Sequence, residues 1–202
     1  MKKGLIVITV IVALLAIVGF AIGPGFYNTS IDLKEDATAQ WGNVESSYQR
    51  RADLIPNIVN TAKGYAQFEQ ETLTKVIEAR SKATAITIDP SNITPSQMEQ
   101  FQEVQSNMTG ALSRLLAVFE RYPDLKANEN FKELINELSR TENRINVERN
   151  RFNETARPFN KHILKFPNNM INMFIGKFDE MIYFKAEEGS EVAPKVEFDF
   201  NN

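Results

Sequence analysis

Catalysis and metal binding at neutral pH lean on histidine more than on any other side chain. This sequence holds one, His162. A carboxylate-bridged di-metal centre between helices needs a Glu-x-x-His on each of two helices and two further glutamates; Phe159 stands where that Glu would be. A Ser-His-Asp arrangement would have to be built on the same histidine, and no Gly-x-Ser-x-Gly turn is present to present the serine. The absence of cysteine removes thiolate metal sites, a thiol nucleophile and disulfides. Gly64, Gly110 and Gly176 stand alone, so no glycine-rich phosphate cradle exists. The sequence therefore predicts no catalytic residue, no cofactor and no metal. A formal charge of −3 and a pI near 5.4 argue against a nucleic-acid partner, which requires a basic patch.

Two polar features carry more information. One is the cluster Arg50, Arg51, Asp53 and Pro56. The other is the run Glu142, Asn146, Arg149, Asn153 and Asn160, whose steps of three, four and seven place it on one helical face. Asparagine is a middling helix former, so its repetition on one face requires a reason. Two readings stand. Arg50 or Arg51 pairs with Glu142 in an inter-helix network while the asparagines fix register, or the same residues form a recognition groove for a peptide or lipid headgroup.

The elements that must position these residues are helices. From Ile31 to about Phe166 apolar residues recur at three- and four-residue steps. Ala37, Trp41, Val44, Tyr48 and Ile55 form the first stripe, with Asp53 and Pro56 predicting a restart or kink. Ile58, Ala62, Tyr65, Leu73 and Val76 form the second, fading near Ala85. Thr94-Pro95-Ser96-Gln97 combines a capping threonine, a first-turn proline and a glutamine at the capping-box position. Phe101, Met108, Leu112, Leu115 and Phe119 follow, and Gly110 among them predicts close packing. Tyr122-Pro123-Asp124 ends that helix. In the fourth, Phe131, Leu138, Ile145, Phe152, Phe159 and Phe166 are spaced by seven, which implies near-parallel packing in a left-handed sense. His162 falls off that stripe and reads as a surface residue; Pro158 should bend the helix near its end.

The N-terminus differs in kind. Residues 5–22 carry no charge, and apolar side chains cover every face. As a helix they span roughly 27 Å against a hydrocarbon core of about 30 Å. This predicts a transmembrane anchor rather than a cleaved signal peptide, whose apolar core is shorter. Gly23-Pro24-Gly25 is expected to break the helix at the exit, beside interfacial Phe26 and Tyr27. Lys2 and Lys3 place the N-terminus in the cytoplasm and the bundle outside. The expected order is an anchor over 1–26, an antiparallel bundle of four long helices over 27–184, and an acidic flexible tail over 185–202. Residues 168–176 are expected to form a short amphipathic turn, and Val196, Phe198 and Phe200 alternate as a strand could.

Ordered matches run along nearly the whole chain: Gln49-Arg-Arg-Ala-Asp-Leu-Ile-Pro-Asn57, Lys63-Gly-Tyr-Ala66, Glu78-Ala-Arg80, Gly110-Ala-Leu-Ser-Arg-Leu115, Tyr122-Pro-Asp-Leu-Lys-Ala-Asn128, Thr141-Glu-Asn-Arg-Ile145 and Arg151-Phe-Asn153. In these the chain resembles the LemA family of bacterial membrane-anchored proteins. It departs from the family at Phe68, where many relatives have histidine, at Phe152, where tyrosine is common, and at Pro158. The resemblance implies a transmembrane N-terminus and an antiparallel helical domain without an assigned molecular function. The expected role is a non-enzymatic scaffold or adaptor in the bacterial cell membrane, with envelope proteins as partners and the bilayer contacted through residues 5–22. The alternative is a sensor of lipid or envelope stress.

Overall fold

The computed structural model describes residues 2–64 and 69–185, apart from the side chains of residues 2 and 14–19. The protein is all helical over these residues, with no strand. Helix α1 runs unbroken over Lys2–Lys63, α2 over Gln70–Thr84, α3 over Pro95–Phe119, α4 over Pro123–Ala127, α5 over Glu129–Leu164 and α6 over Asn168–Ile171. One π-helical turn, Asn172–Gly176, closes the series. The long helices α1, α2, α3 and α5 form the bundle.

Helices α1 and α5 are antiparallel, and their contacts give the register. As α1 advances through Phe26, Gln40 and Arg50, its partners retreat along α5 through His162, Glu148 and Glu137. The apolar stripes read from the sequence are the core. Ala37, Trp41, Val44, Tyr48 and Ile55 are buried on α1, and Phe101, Met108, Leu112, Leu115 and Phe119 on α3. On α5 the seven-residue seam holds from Phe131 to Phe159. The Thr94 cap is built as expected: its hydroxyl accepts from the Gln97 amide, and its own amide donates to Gln97 Oε1 at 2.9 Å.

Several expectations fail, most of them for an identifiable reason. Gly23-Pro24-Gly25 does not break α1. Gly23 is buried, and Ile175 Cδ1 lies 3.4 Å from where a Cβ on it would sit, so this glycine makes room for the π-turn. Asp53 and Pro56 do not restart a helix either. Asp53 is exposed within α1 and accepts from Gln49 one turn back at 2.8 Å. Proline at 56 removes the N–H that would bond the Ala52 carbonyl. Arg80 on α2 replaces it, its Nε donating to Ala52 O at 2.7 Å. A group from the next helix thus satisfies the orphaned carbonyl, and α1 continues to Lys63. The true boundary is Gly64 and the segment after it. Tyr65, assigned from sequence to the second stripe, lies outside the described residues.

Gly110 has no neighbour within 4 Å of a Cβ position, so no close packing explains it. Phe166 is 72% exposed, because α5 ends at Leu164, before the heptad is complete. Pro158 is accommodated within α5. His162 is half-buried, stacked on Phe26 at 5.2 Å, with Nε2 3.3 Å from the Phe26 carbonyl oxygen and Asn168 bonded to Nδ1.

Among the described residues no helix is long and apolar enough to cross a membrane. The expected span, 5–22, includes residues 14–19, whose side chains lie outside the description. The described apolar side chains along it, from Leu5 to Val12 and at Phe20 and Ile22, are exposed.

Replacing Arg80 with Met keeps the apolar stem and removes the donor to Ala52. The expected loss is about 1–3 kcal/mol, the size of a hydrogen bond to a charged group. In a Pro56→Ala background, where residue 56 regains its N–H, the same change should cost much less. Denaturant melts of the four proteins measure this coupling; equal costs in both backgrounds would refute the arginine's role as a substitute donor.

Candidate functional site: a buried arginine layer and an asparagine seam

The bundle interior is two apolar clusters, not one. The first gathers the Ala52–Ala62 part of α1 with α2, Met108 to Phe119 on α3, and Phe131 and Leu138 on α5. The second gathers Phe26 to Tyr48, Met98, Phe101 and Ile145 to Ile163, with Met181 and Phe184. Between them lies a polar layer centred on Arg51, which is 1% exposed. Its Nη1 donates to both Glu142 oxygens, at 2.8 and 3.1 Å, and to Thr109 Oγ1 at 2.8 Å. Its Nη2 donates to Gln105 Oε1 at 2.6 Å, and the guanidinium lies 5.1 Å from the Tyr48 ring centre. Only its buried Nε lacks a hydrogen-bond partner. One cation therefore joins α1, α3 and α5.

Arg50, one position earlier, points to solvent and pairs with Glu137 at 2.5 Å instead of Glu142. That guanidinium holds the Glu137 carboxyl below its ordinary value of 4.5. Asp53 takes no part in the layer. Gln105 and Thr109 were missed from sequence because neither residue type signals burial on its own. Glu148 was missed as well. It is buried on α5, accepts from Gln40 Nε2 at 2.8 Å and pairs with Arg151 at 3.1 Å.

The asparagines do something other than fix helix register. After the π-turn the chain runs back along α5 over residues 178–185 outside any helix, and three asparagine side chains grip its backbone. Asn172 both donates to and accepts from Phe178 at 2.9 Å. Asn160 does the same to Met181 at 2.8 Å. Asn153 does the same to Phe184 at 2.9 Å. A carboxamide presents an acceptor and a donor side by side, as a paired strand would. Seven residues of helix rise roughly 10.5 Å, and three residues of extended chain about 9–10 Å. Asn160 and Asn153, seven helical positions apart, therefore meet Met181 and Phe184, three residues apart on the returning segment. Phe184 is thereby laid flat on Trp41, 5.5 Å between centres and 9° between planes, while Phe152 meets Trp41 edge-on. The Arg149 guanidinium lies over the Phe184 ring, 5.1 Å from its centre, and donates to the Lys185 carbonyl at 2.8 Å. The Lys185 amide donates to Gln102 Oε1 at 3.2 Å.

The seam has one more rung. Asn146, seven residues before Asn153, is exposed and has no hydrogen-bond partner among the described residues. It lines a groove of about 640 Å³ shared with Arg51, Gln105, Glu142, Arg149 and Lys185. The expected tail over 186–202 lies outside the described residues. Among them, no three acidic or histidine side chains are grouped to hold a metal ion.

Three measurements test this arrangement. Arg51→Ala strands Gln105 and leaves Glu142 half-buried without its cation, so thermal or denaturant melting should report a loss of about 2–4 kcal/mol; an unchanged melt would dismiss the layer as a stabilising element. Asn153→Asp keeps the acceptor but sets a carboxylate oxygen against the Phe184 carbonyl. The strand should loosen by about 1–3 kcal/mol, and acrylamide should quench Trp41, the only tryptophan, more strongly. Quenching equal to the parent's would show that the fork does not hold Phe184. The third concerns acid. Glu137's folded pKa is depressed, so its contribution is complete above 4.5 and is lost as pH falls below that value through the folded pKa. Between pH 5 and 3 the Glu137→Gln variant should lose less stability than the parent.

Comparison with known proteins supplies the family. Residues 40–198 match the LemA family. The chain is 26% identical over 184 residues to magnetosome protein MamQ 2 of Paramagnetospirillum magneticum, covering 82% of this chain and 66% of that protein. It is 29% identical over 144 residues to protein LemA of Metamycoplasma hominis, covering 71% and 62%. MamQ of Magnetospirillum gryphiswaldense is 25% identical over 192 residues, covering 84% and 70%. The chain thus spans just under two thirds of the length of the first of these relatives. With the match extending over most of its length, and through α1, α3, α5 and the clasped strand alike, this chain belongs to the LemA family.

Proposed function

We propose that this protein is a membrane-anchored, non-enzymatic scaffold whose bundle presents a peptide-binding groove to other envelope proteins. One observation carries the proposal. The apolar N-terminal segment and the first bundle helix are a single α1 of 62 residues, roughly 93 Å long. At one end its apolar side chains, Leu5 to Val12, are exposed among the described residues. At the other end the same helix holds Arg51 and the core. Eight consecutive exposed positions, 5–12, without a polar side chain other than Thr9, whose hydroxyl bonds back to the Leu5 carbonyl, suit lipid and not water. With Lys2 and Lys3 in the cytoplasm, the bundle stands outside.

The absence of a nucleophile–base pair in the sequence, and relatives named for a cellular structure and not for a reaction, support a non-enzymatic role. The groove beside Asn146 is the recognition face. There the fourth rung of amides can grip an extended partner segment as Asn153 grips Phe184 and Asn160 grips Met181.

Membranes bearing the protein, washed with alkaline carbonate, should retain it, and Ile8→Arg with Ile11→Arg should release it to the supernatant. Release of the parent chain would end the anchor reading. Affinity capture from gently solubilised membranes, comparing the parent with Asn146→Ala, tests the groove: identical partner sets would remove it from the proposal.

A further inference from the structure

The end of the bundle where α5 finishes is unlike the rest of its surface. Leu164, Phe166, Met170, Met173, Phe174 and Ile175 are all at least half exposed, Phe174 by 74%. Neither α6 nor the π-turn contains a buried residue. An amphipathic helix that covers nothing is ordinarily unstable in water, because its ordering entropy is not offset by burial. Yet this segment is held in place. Ile175 packs on Gly23, the Gly176 backbone lies against Phe26, and Asn168 ties α6 to His162. Lys177 closes the turn in the left-handed region, φ 47°, its amide bonded to the Asn172 carbonyl at 2.7 Å.

Its position is defined by the α1–α5 register. With Phe26 beside His162, Leu164 and Phe166 lie level with α1 at about residues 22–24. That is where the exposed apolar run of α1 ends, at Phe20 and Ile22. The two exposed apolar surfaces therefore meet at the same level along the α1 axis. Charge adds a second, independent feature. From Arg157 to Lys177 there are four basic residues, Arg157, Lys161, Lys165 and Lys177, and no acidic one. The first carboxylates, Asp179 and Glu180, come only as the chain turns back along α5.

We infer that residues 164–177 are a foot that lies in the headgroup layer of the leaflet from which α1 emerges, and that the foot recognises anionic phospholipid. Phe166, Met173 and Phe174 enter the acyl boundary, while Lys161, Lys165 and Lys177 meet phosphate. This rests on the anchoring of α1 proposed above. It adds a second membrane contact, made by side chains of the folded domain.

The chain contains no cysteine, so single spin labels are straightforward to place. The full-length protein carrying Ile11→Cys, Phe174→Cys or Lys75→Cys is reconstituted into vesicles of phosphatidylcholine with or without one fifth phosphatidylglycerol. Accessibility to oxygen and to a water-soluble nickel complex is then compared. In anionic vesicles labels 11 and 174 should favour oxygen, and label 75 should favour nickel. Adding Lys161→Gln, Lys165→Gln and Lys177→Gln should shift label 174 toward the behaviour of label 75 and leave label 11 unmoved. A nickel-accessible label 174 beside a lipid-exposed label 11 overturns the foot while the anchor stands. A label 11 in water overturns the anchor and the foot together. Equal immersion of label 174 in both vesicle types overturns the preference for anionic lipid.

Discussion

A guanidinium shut away from water dictates how this bundle is assembled. Arg51 lies between two apolar clusters, and everything that compensates its desolvation comes from other helices: Gln105 and Thr109 from α3, Glu142 from α5. Such layers contribute little to stability when compared with an apolar core of the same volume, because the desolvation of the charge opposes the attraction. What they give is register. Sliding α3 by one turn, roughly 5.4 Å, would set Phe101 or Met108 beside the guanidinium in place of an α3 acceptor, leaving Glu142 of α5 to hold the cation with fewer hydrogen bonds. The cost of such a slip is a buried charge short of hydrogen bonds, which favours a single arrangement of α1, α3 and α5 over others that would bury similar apolar area.

The same helix that faces this layer also solves a different problem. An extended segment against a helical bundle has no neighbouring strand to satisfy its backbone, and buried amides cannot be left unpaired. On α5 each gripping asparagine directly follows a residue of the apolar seam: Asn153 after Phe152, Asn160 after Phe159. One helical position is a rotation of about 100°, so the apolar seam and the amide seam run side by side with a common period of seven. The first seam buries α5 against α1. The second holds residues 178–185 over the edge of the same core, where Phe184 completes the aromatic cluster around Trp41.

The helices and their inward faces were legible in the sequence because periodic burial leaves a periodic trace. The places where reading failed share a cause: the decisive partner is remote in sequence. Pro56 looks like a boundary until Arg80, twenty-eight positions after the Ala52 carbonyl it bonds, supplies the missing donor. Gly23 looks like a breaker until Ile175 is seen against it. His162 lies off the α5 seam and reads as a surface group, yet Phe26 comes from α1 to meet it. The asparagine repeat was visible and its need for a reason was stated, but its ligand was a stretch of Phe, Met and Tyr with no helical or alternating period. A chain that repeats every third residue, with its main chain bonded to side chains, has no pattern that helix or strand templates detect. Gly110 has no structural explanation.

Continuity of α1 changes how membrane and bundle are coupled on the anchored reading. A flexible joint at Gly23-Pro24-Gly25 would let the domain tumble at the end of a tether, and its grooves would face all directions. A helix that passes through these residues, with Gly23 and Phe26 buried under the π-turn, fixes the bundle axis to the axis of the span. Tilt of one is then tilt of the other. A foot at the same level adds a contact off that axis, so rotation about α1 is restricted as well as tilt. The groove beside Asn146 lies about twenty residues up α5 from the foot, roughly 30 Å along the helix, and is held at that height above the bilayer by the same rigid element. Anchor, register-setting arginine and groove are in this sense parts of one lever, and the polar layer at Arg51 is what keeps its arms from slipping.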